Sequence, residues 1–323
     1  MAVKWGVLGT AGIAKGCTLP GMQLAQNCEL YAIAGRNPDK VKAYQEEFHF
    51  EKSYIGYESL LSDPSVKAIY VPLPNSLHKE WVIKALNAGK HVLCEKPLAL
   101  DSSEVKEMFD AAKKNNVFLM EAYAYLHTPY IAALKKSVKE GTIGEIDYLE
   151  TAFLTSGYTD NIRVRRNTGG GALYDLGCYC TTMILSLVDS EPEYAKAIAE
   201  FNAENVDIFS TALLKFKNGV RASFQVGMML GMGGNERHDH LYIHGSKGSI
   251  SSAVQYNEAG SLSFSIKTGN TETIHTLDVR QNYCLEVEQL GRCIENGEKP
   301  FITEEFSKKN AKVMQELLES IGY

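Results

Sequence analysis

Three short stretches of the chain carry residue types whose spacing could do chemistry together. Gly9-Thr10-Ala11-Gly12-Ile13-Ala14 follows an apolar run, Val3–Leu8, and opens a stretch of helical spacing. In a G-x-G-x-x-G/A frame Ala11 takes the second glycine's place and Ala14 the third. Gly9 permits a tight turn, Ala14 allows close helix–strand packing, and the helix N-terminus offers amides to a pyrophosphate. The Cβ of Ala11 departs from the pattern, yet the strand–turn–helix setting predicts dinucleotide binding through Gly9, Thr10, Ala11, Gly12 and Ile13. The second stretch is Ile33-Ala34-Gly35-Arg36-Asn37-Pro38, about 20 residues on, where an NAD site usually presents an acid to the ribose 2′-hydroxyl. No acid stands there. Arg36 could instead meet a 2′-phosphate through charge-assisted bonds, which favours NADP(H) and leaves NAD(H) possible. A solvated loop arginine is the alternative. The third stretch, His91-Val92-Leu93-Cys94-Glu95-Lys96-Pro97, ends a strand at the sheet edge where open parallel sheets bind ligands. A lysine partly desolvated there could exchange protons, or it could simply pair with Glu95.

The elements that must position these residues are legible as alternation. Val3–Leu8, Glu29–Ala34, Ala68–Pro72, His91–Glu95 and Val117–Glu121 read as strands; Ile13–Gln26, Pro38–Phe48, Leu77–Ala88 and Ser102–Asn115 have helical spacing. Strands alternating with helices of 10–15 residues predict a parallel sheet covered on both faces. A helix over about Pro129–Glu140 follows. Then the character changes: Ile143–Leu154, Tyr194–Asn202, Ile208–Phe216, Val220–Met229, His238–His244 and Ser261–Ile266 read as strands, with Lys217-Asn218-Gly219 a hairpin turn. Helices over Ala172–Val188, Leu285–Glu295 and Glu304–Ser320 complete the reading. The fold class is therefore α/β, with a Rossmann dinucleotide-binding domain over 1–122. An α+β domain with an open, largely antiparallel sheet takes 123–323, for substrate binding and oligomerisation.

Composition narrows the function classes. The chain has 323 residues, 45% hydrophobic and 22% charged, with a net charge of −6 and no long basic stretch, which argues against nucleic acid as a partner. No apolar run approaches the roughly 18 residues of a membrane span. Seven scattered cysteines, an odd number, fit reduced thiols; Cys178 and Cys180 diverge on a helix, so no disulfide joins them. The opening residues read directly as a buried strand, which makes the cytoplasm the expected location.

A wider set of motifs resembles the glucose–fructose oxidoreductase / inositol dehydrogenase / MocA family over essentially the full length. They are Gly9–Ala14, Pro74-Asn75-Ser76-Leu77-His78, Glu95-Lys96-Pro97 and Glu121-Ala122. Gly169-Gly170-Gly171-Ala172-Leu173-Tyr174-Asp175-Leu176-Gly177 and a strand at Gly245-Ser246-Lys247-Gly248 continue the set. The resemblance implies Lys96 as proton donor or acceptor at the substrate's reacting oxygen, with Asp175 in the active site orienting substrate. It implies Pro72, Asn75 and His78 near the nicotinamide ribose and the sheet edge, and Glu95 positioning the cofactor. It also implies a homodimer or homotetramer through the second sheet. Read from spacing alone, His78 would be a surface histidine at a helix start.

Two departures refine this. Many members carry histidine four residues after the aspartate; here Tyr179 stands there, resembling the branch of dihydrodiol dehydrogenases and NADP-dependent xylose dehydrogenases. Four residues apart on a helix, Asp175 and Tyr179 share a face, and a phenol beside an ammonium can donate to a substrate oxygen; the alternative is a packed aromatic. In Tyr123–Pro129, Leu126 stands where relatives often carry arginine, so Tyr125 or His127 would line the cleft or else pack. Arg163, Arg165 and Arg166 could clamp a substrate anion, with Arg163 and Arg166 as the candidates, or form a solvated basic loop. His238, His240 and His244 share strand parity without cysteine or acid partners, so no metal is expected. The loops at 156–168 and 228–237 are expected to shape the pocket.

The combined expectation is hydride transfer between NADP(H) and a hydroxyl/carbonyl of a sugar, polyol or cyclic diol, with Lys96, Tyr179 and Asp175 as catalytic residues. Two rivals remain. One is an NAD-dependent glycosidase with tightly held cofactor, and the other is a non-catalytic nucleotide- or sugar-sensing regulator.

Overall fold

The structure is a computed structural model that describes residues 2–158, 160–229, 237–254 and 256–323. It divides into two compact units, Met1–His127 with Arg280–Lys308, and Thr128–Val279 with Lys309–Tyr323.

The first unit is built on six parallel strands: β1 (Val3–Leu8), β2 (Cys28–Gly35), β3 (Lys52–Ile55), β4 (Ala68–Val71), β5 (His91–Glu95) and β6 (Leu119–Ala122). Their order is β3-β2-β1-β4-β5-β6, so the chain reverses direction across the sheet between β1 and β4. Ligands bind at such a reversal, beyond the carboxyl ends of the strands. β1 and β4 are apolar along nearly their whole length because both faces are covered: Trp5, Val7, Leu8, Ile69 and Val71 are fully buried. β3 had no counterpart in the sequence reading. It is an edge strand of only four residues, half-buried on one side, too short for alternation to stand out.

The first helix is not regular. Leu19 donates its N–H five residues back to the Ala14 carbonyl, giving a π turn over Ala14–Thr18 just before Leu19–Leu24. Pro20 has no N–H to give, and that removes one rung of the ordinary ladder. The expected division at 122/123 into two continuous domains also differs from the structure. The helix Asn282–Asn296 returns to pack on Leu19–Leu24 and against β1, β2 and β5, burying Tyr283, Val287 and Leu290. A contact that closes over more than 250 residues leaves no local mark in the sequence.

The second unit carries β7 (Ile146–Thr155), β8 (Pro192–Phe201), β9 (Asp207–Phe216), β10 (Arg221–Gly227), β11 (Arg237–Gly245), β12 (Gly248–Ser252), β13 (Gly260–Thr268) and β14 (Thr271–Val279). They form one sheet, β14-β13-β12-β11-β7-β10-β9-β8, antiparallel except where β7 and β10 run together. Helices Pro129–Lys139 and Cys178–Leu187 pack on it. Ile198, Leu213 and Ile274 remain exposed. The strand expected at Gly245–Gly248 is instead the two-residue turn of a hairpin, with Gly245 paired to Gly248 and the chain reversing at Ser246-Lys247. β12 and β14 show no clear alternation because serine fills most of β12, and threonine, glutamate and other polar residues fill most of the exposed β14. Among the described residues no helix is long and apolar enough to cross a membrane.

Candidate active site

In the first unit the turn after β1 is pinned from two sides. Gly9 N–H donates to the Ala34 carbonyl at 2.7 Å, and Tyr44 Oη donates to the Ala11 carbonyl at 3.1 Å. Gly9 has φ +112, a conformation that L side chains rarely adopt. The π turn Ala14–Thr18 that follows has no side-chain cap at Ile13 and no acid in its first turn. A Cβ built on Gly12 would meet nothing within 4 Å. A glycine turn into a helix start with open space at Gly12, at the carboxyl edge of a parallel sheet, is what a pyrophosphate needs, so the residues present fit a dinucleotide. At the end of β2, Arg36 is exposed beside the Tyr57 hydroxyl; burial pushes the Tyr57 phenol up and the guanidinium opposes that shift. Asn37 accepts from Lys40 N–H at 3.0 Å and starts the next helix, which leaves Arg36 at the strand tip.

Lys96 is half-buried at the end of β5, inside a braced segment. Leu98 N–H donates to Glu121 Oε1 at 2.9 Å, and Ser307 Oγ donates to Glu121 Oε2 at 2.7 Å. Burial raises the Glu121 carboxyl to about 7, against these donors and the nearby Lys96 charge. Glu95 turns one oxygen inward to accept from Tyr70 Oη at 2.6 Å; the same phenol bonds Thr18 Oγ1 at 2.8 Å. Glu95 thereby ties the end of β5 to the π turn below the nucleotide loop. Pro72 is buried, and Asn75 is half-buried in the turn Asn75–Leu77 beyond β4.

His78 corrects an expectation. It is completely buried, with Nδ1 2.9 Å from the Pro97 carbonyl and Nε2 2.8 Å from the Leu73 carbonyl. Both ring nitrogens face backbone carbonyls, to one of which a neutral ring donates, so His78 links the loops after β4 and β5 and is not a surface residue. Its burial, with Lys96 nearby, disfavours the imidazolium. Tyr125 is also buried, edge-to-face with Tyr123 at 6.5 Å, and His127 packs on Phe301 at 5.3 Å. Both make ring contacts within the first unit.

In the second unit the triple glycine leads into a π turn, Leu173–Gly177, and the helix Cys178–Leu187. Asp207 caps this start: its Oδ2 accepts from Leu173 N–H and from Ser210 Oγ, each at 2.8 Å. Gly170 lies so close to the preceding loop that a Cβ would fall 2.4 Å from the Arg163 carbonyl oxygen and 2.7 Å from that of Arg165. Gly170→Ala is therefore expected to cost about 1–3 kcal/mol, read as a lower urea midpoint by circular dichroism, because backbone must move to admit the methyl. An unchanged midpoint would show that the 163–165 loop yields freely.

That loop aims Arg163 at Asp175, Nε to Oδ1 at 3.0 Å, with the guanidinium 5.4 Å over the Tyr158 ring. Tyr179, one helical step on, is buried against Phe153 and Tyr256, ring centroids 5.4 Å from each, and its hydroxyl accepts from Asn257 Nδ2 at 2.8 Å. The structure thus gathers Arg163, Asp175 and Tyr179. Arg166 is not among them: it stacks 3.6 Å over the Tyr323 ring and donates to the Asn205 carbonyl at 2.9 Å, a structural role. Arg165 pairs with Asp160 on the surface.

Sequence reasoning missed Asn257, Tyr256 and the pair Arg237–Asp239. Asp239, of opposite parity to His238 and His240, points inward and accepts from Arg237 Nε at 2.7 Å and Tyr256 N–H at 3.1 Å. The available signal was an acid on the apolar face of an alternating strand. Among the described residues no group of three metal-binding side chains occurs, and all seven cysteines, each described, are outside disulfides. Residues 230–236 of the loop expected to shape the pocket lie outside the described residues.

These geometries agree with what the chain resembles. The family model for an oxidoreductase family with an NAD-binding Rossmann fold matches residues 3–123. That for a GFO/IDH/MocA C-terminal domain matches residues 131–251. A trans-1,2-dihydrobenzene-1,2-diol dehydrogenase of Xenopus laevis is 30% identical over 100% of this chain and 99% of its own. A dTDP-3,4-didehydro-2,6-dideoxy-alpha-D-glucose 3-reductase of Actinomadura kijaniata is 36% identical over 70% of this chain and 68% of its own. The crystal structure of a 3-ketoreductase from Actinomadura kijaniata, in complex with NADP and TDP-benzene, superposes with a TM-score of 0.92 at 29% identity, covering 99% of this chain and 98% of that one. This chain belongs to the GFO/IDH/MocA family of oxidoreductases.

Proposed function

We propose that the chain is an NADP(H)-dependent oxidoreductase that interconverts a hydroxyl and a carbonyl on a sugar, polyol or cyclic diol. The observation that carries the cofactor choice is Arg36, exposed where β2 ends in Gly35-Arg36-Asn37 without an acid, on the sheet edge that also presents the helix start after Gly9. The diol and sugar-nucleotide chemistry of the two relatives supports the substrate class, and the NADP held by the ketoreductase supports the cofactor. When bound, the nicotinamide would accept or give the hydride. Gly9, Thr10, Ala11, Gly12 and Ile13 would cradle the pyrophosphate, and Arg36 the 2′-phosphate; Asn75 would meet the ribose.

Lys96 exchanges the hydroxyl proton in this reading, at its Nζ, with Tyr179 Oη assisting. The ion pair with Arg163 keeps Asp175 fixed and directed at substrate hydroxyls. The first unit is the cofactor-binding unit and the second the substrate unit. The exposed Ile198, Leu213 and Ile274 support a homodimer or homotetramer formed through the second sheet.

The test is a fluorescence titration of nucleotide-stripped protein with NADPH and NADH side by side. Both tryptophans, Trp5 and Trp81, lie in the first unit and report on it. NADPH is expected to bind at least about tenfold more tightly, and Arg36→Ala to erase the difference while sparing NADH, as loss of one charge-assisted phosphate contact requires. A preference for NADH, or NAD that leaves only on unfolding, would overturn the role of Arg36 and bring forward a glycosidase that keeps its cofactor.

A further inference from the structure

We infer that Tyr323 is a positioning residue for substrate: it clamps the glycine segment from which both partners of the Arg163–Asp175 ion pair are hung. This role rests on the reading of Asp175 as the group that orients substrate hydroxyls.

The backbone leading into Asp175 ties it to the arginine loop. Asp175 N–H donates to the Gly171 carbonyl at 2.9 Å, and Gly171 N–H donates to the Arg163 carbonyl at 2.8 Å. Gly170 N–H closes the same loop on the Arg165 carbonyl at 3.1 Å. These bonds fix where Arg163 stands relative to Asp175, and the 3.0 Å contact between Nε and Oδ1 follows from them. Gly170 and Gly171 contribute no side chain to the packing, and glycine is the least stiff of residues. The stiffness of the segment has to come from what covers it.

Tyr323 supplies that cover, from three residues past the helix Glu304–Ser320. Its hydroxyl donates to the Gly170 carbonyl, and a Cβ built on Gly171 would lie 3.1 Å from the same phenol oxygen. Burial, with Asp207 nearby, pushes the phenol up to about 12, so near neutrality the hydroxyl keeps its proton and remains a donor. The ring is itself held. Arg166 stacks 3.6 Å over it while donating to the Asn205 carbonyl, and Tyr174 meets it edge-on at 5.7 Å. Tyr323 N–H donates to the Leu318 carbonyl at 3.0 Å. Arg163 and Arg166, three apart in one loop, thereby divide the work: one faces Asp175, and the other holds the ring that holds the loop.

The experiment combines hydrogen exchange, read by mass spectrometry on peptides over 163–175, with steady-state kinetics, both on the full chain. Tyr323→Phe keeps the ring and loses the donor, and Tyr323→Ala loses both. Exchange across 163–175 is expected to quicken in both variants, more in Tyr323→Ala. Kinetics use the fastest of D-xylose, myo-inositol and trans-1,2-cyclohexanediol with NADP+. KM for that substrate is expected to rise about 3–10-fold in Tyr323→Phe, the worth of one hydrogen bond, and further in Tyr323→Ala. The affinity for NADPH should not move, and kcat should fall by less than KM rises. A merely structural loss would instead lower the folded fraction, and with it the apparent kcat, while leaving KM alone. Unchanged exchange across 163–175 in both variants overturns the inference. Faster exchange with a wild-type KM, when Asp175→Asn does raise KM, also overturns it and leaves the reading of Asp175 standing. Wild-type KM and kcat in Asp175→Asn overturn that reading and the role of Tyr323 with it.

Discussion

Lys96→Met is expected to leave nucleotide binding intact and to lower turnover by about 10²–10⁴-fold, the contribution typical of a positioned general acid or base. The substitution is chosen to isolate one function. Methionine keeps most of the length and flexibility of lysine, so packing around a half-buried position changes little. The brace around it is held by other groups, Leu98 N–H on Glu121 and His78 Nδ1 2.9 Å from the Pro97 carbonyl, although the Lys96 charge acts on both Glu121 and His78. What disappears is the proton carrier. Lys96→Arg sharpens the test, because arginine keeps the positive charge yet does not give up its proton near neutrality. If proton exchange is the role, Arg and Met should be comparably slow; if charge alone matters, Arg should recover most of the rate. Wild-type turnover in Lys96→Met would remove Lys96 from the mechanism.

Much of this was legible in the sequence because parallel sheets leave a coarse signature. Apolar runs such as Val3–Leu8 and Ala68–Val71 are buried on both faces and cannot be anything else, so β1, β2, β4, β5 and β6 could be located and the chemistry placed at their carboxyl ends. Arg36 and Lys96 followed from that placement. Short or half-exposed strands gave no such signal, and β3, β12 and β14 went unseen. Side-chain roles were legible only as far as type and spacing go. His78 has a residue type suited to the surface of a helix start, but it is buried with its ring facing carbonyls from two different loops. Arg163 and Arg166 are three apart and chemically identical; one meets Asp175, and the other meets the ring of the last residue, Tyr323. That distinction depends on where Tyr323, more than 150 residues further along, packs. Asn257 is more remote still, since nothing in Tyr256-Asn257 marks a partner nearly 80 residues earlier in the chain.

Glu121→Gln is expected to make the first unit's stability less sensitive to rising pH, with a gain over the wild type that appears only above about pH 5. Glu121 is buried and its carboxyl is raised to about 7 by that burial, from an ordinary value of 4.5. Between those values the folded chain holds a proton that the unfolded chain has released, so folding loses stability as pH climbs through the window and the loss is complete above about 7. At about 1.36 kcal/mol per pH unit, the full effect is about 3 kcal/mol. Two half-buried histidines work in the opposite direction over part of the range. His91, lowered to about 4, and His127, lowered to about 3, are kept neutral by burial and so favour folding more as pH rises toward their ordinary value of 6.5. The wild-type profile alone is therefore a sum of opposed slopes, and the informative quantity is the difference between variant and wild type. Glutamine can still accept from Leu98 N–H through its oxygen, and its amide can donate to Ser307 Oγ, so both braces survive while the titration is removed. Urea unfolding followed by tryptophan fluorescence reads the first unit specifically, because Trp5 and Trp81 both lie there. The stability gap between Gln and wild type should widen by up to about 3 kcal/mol between pH 5 and pH 8. A gap of equal size at both pH values would show that Glu121 is ionised throughout, and that its bonds to Leu98 and Ser307, with Lys96 nearby, outweigh its burial.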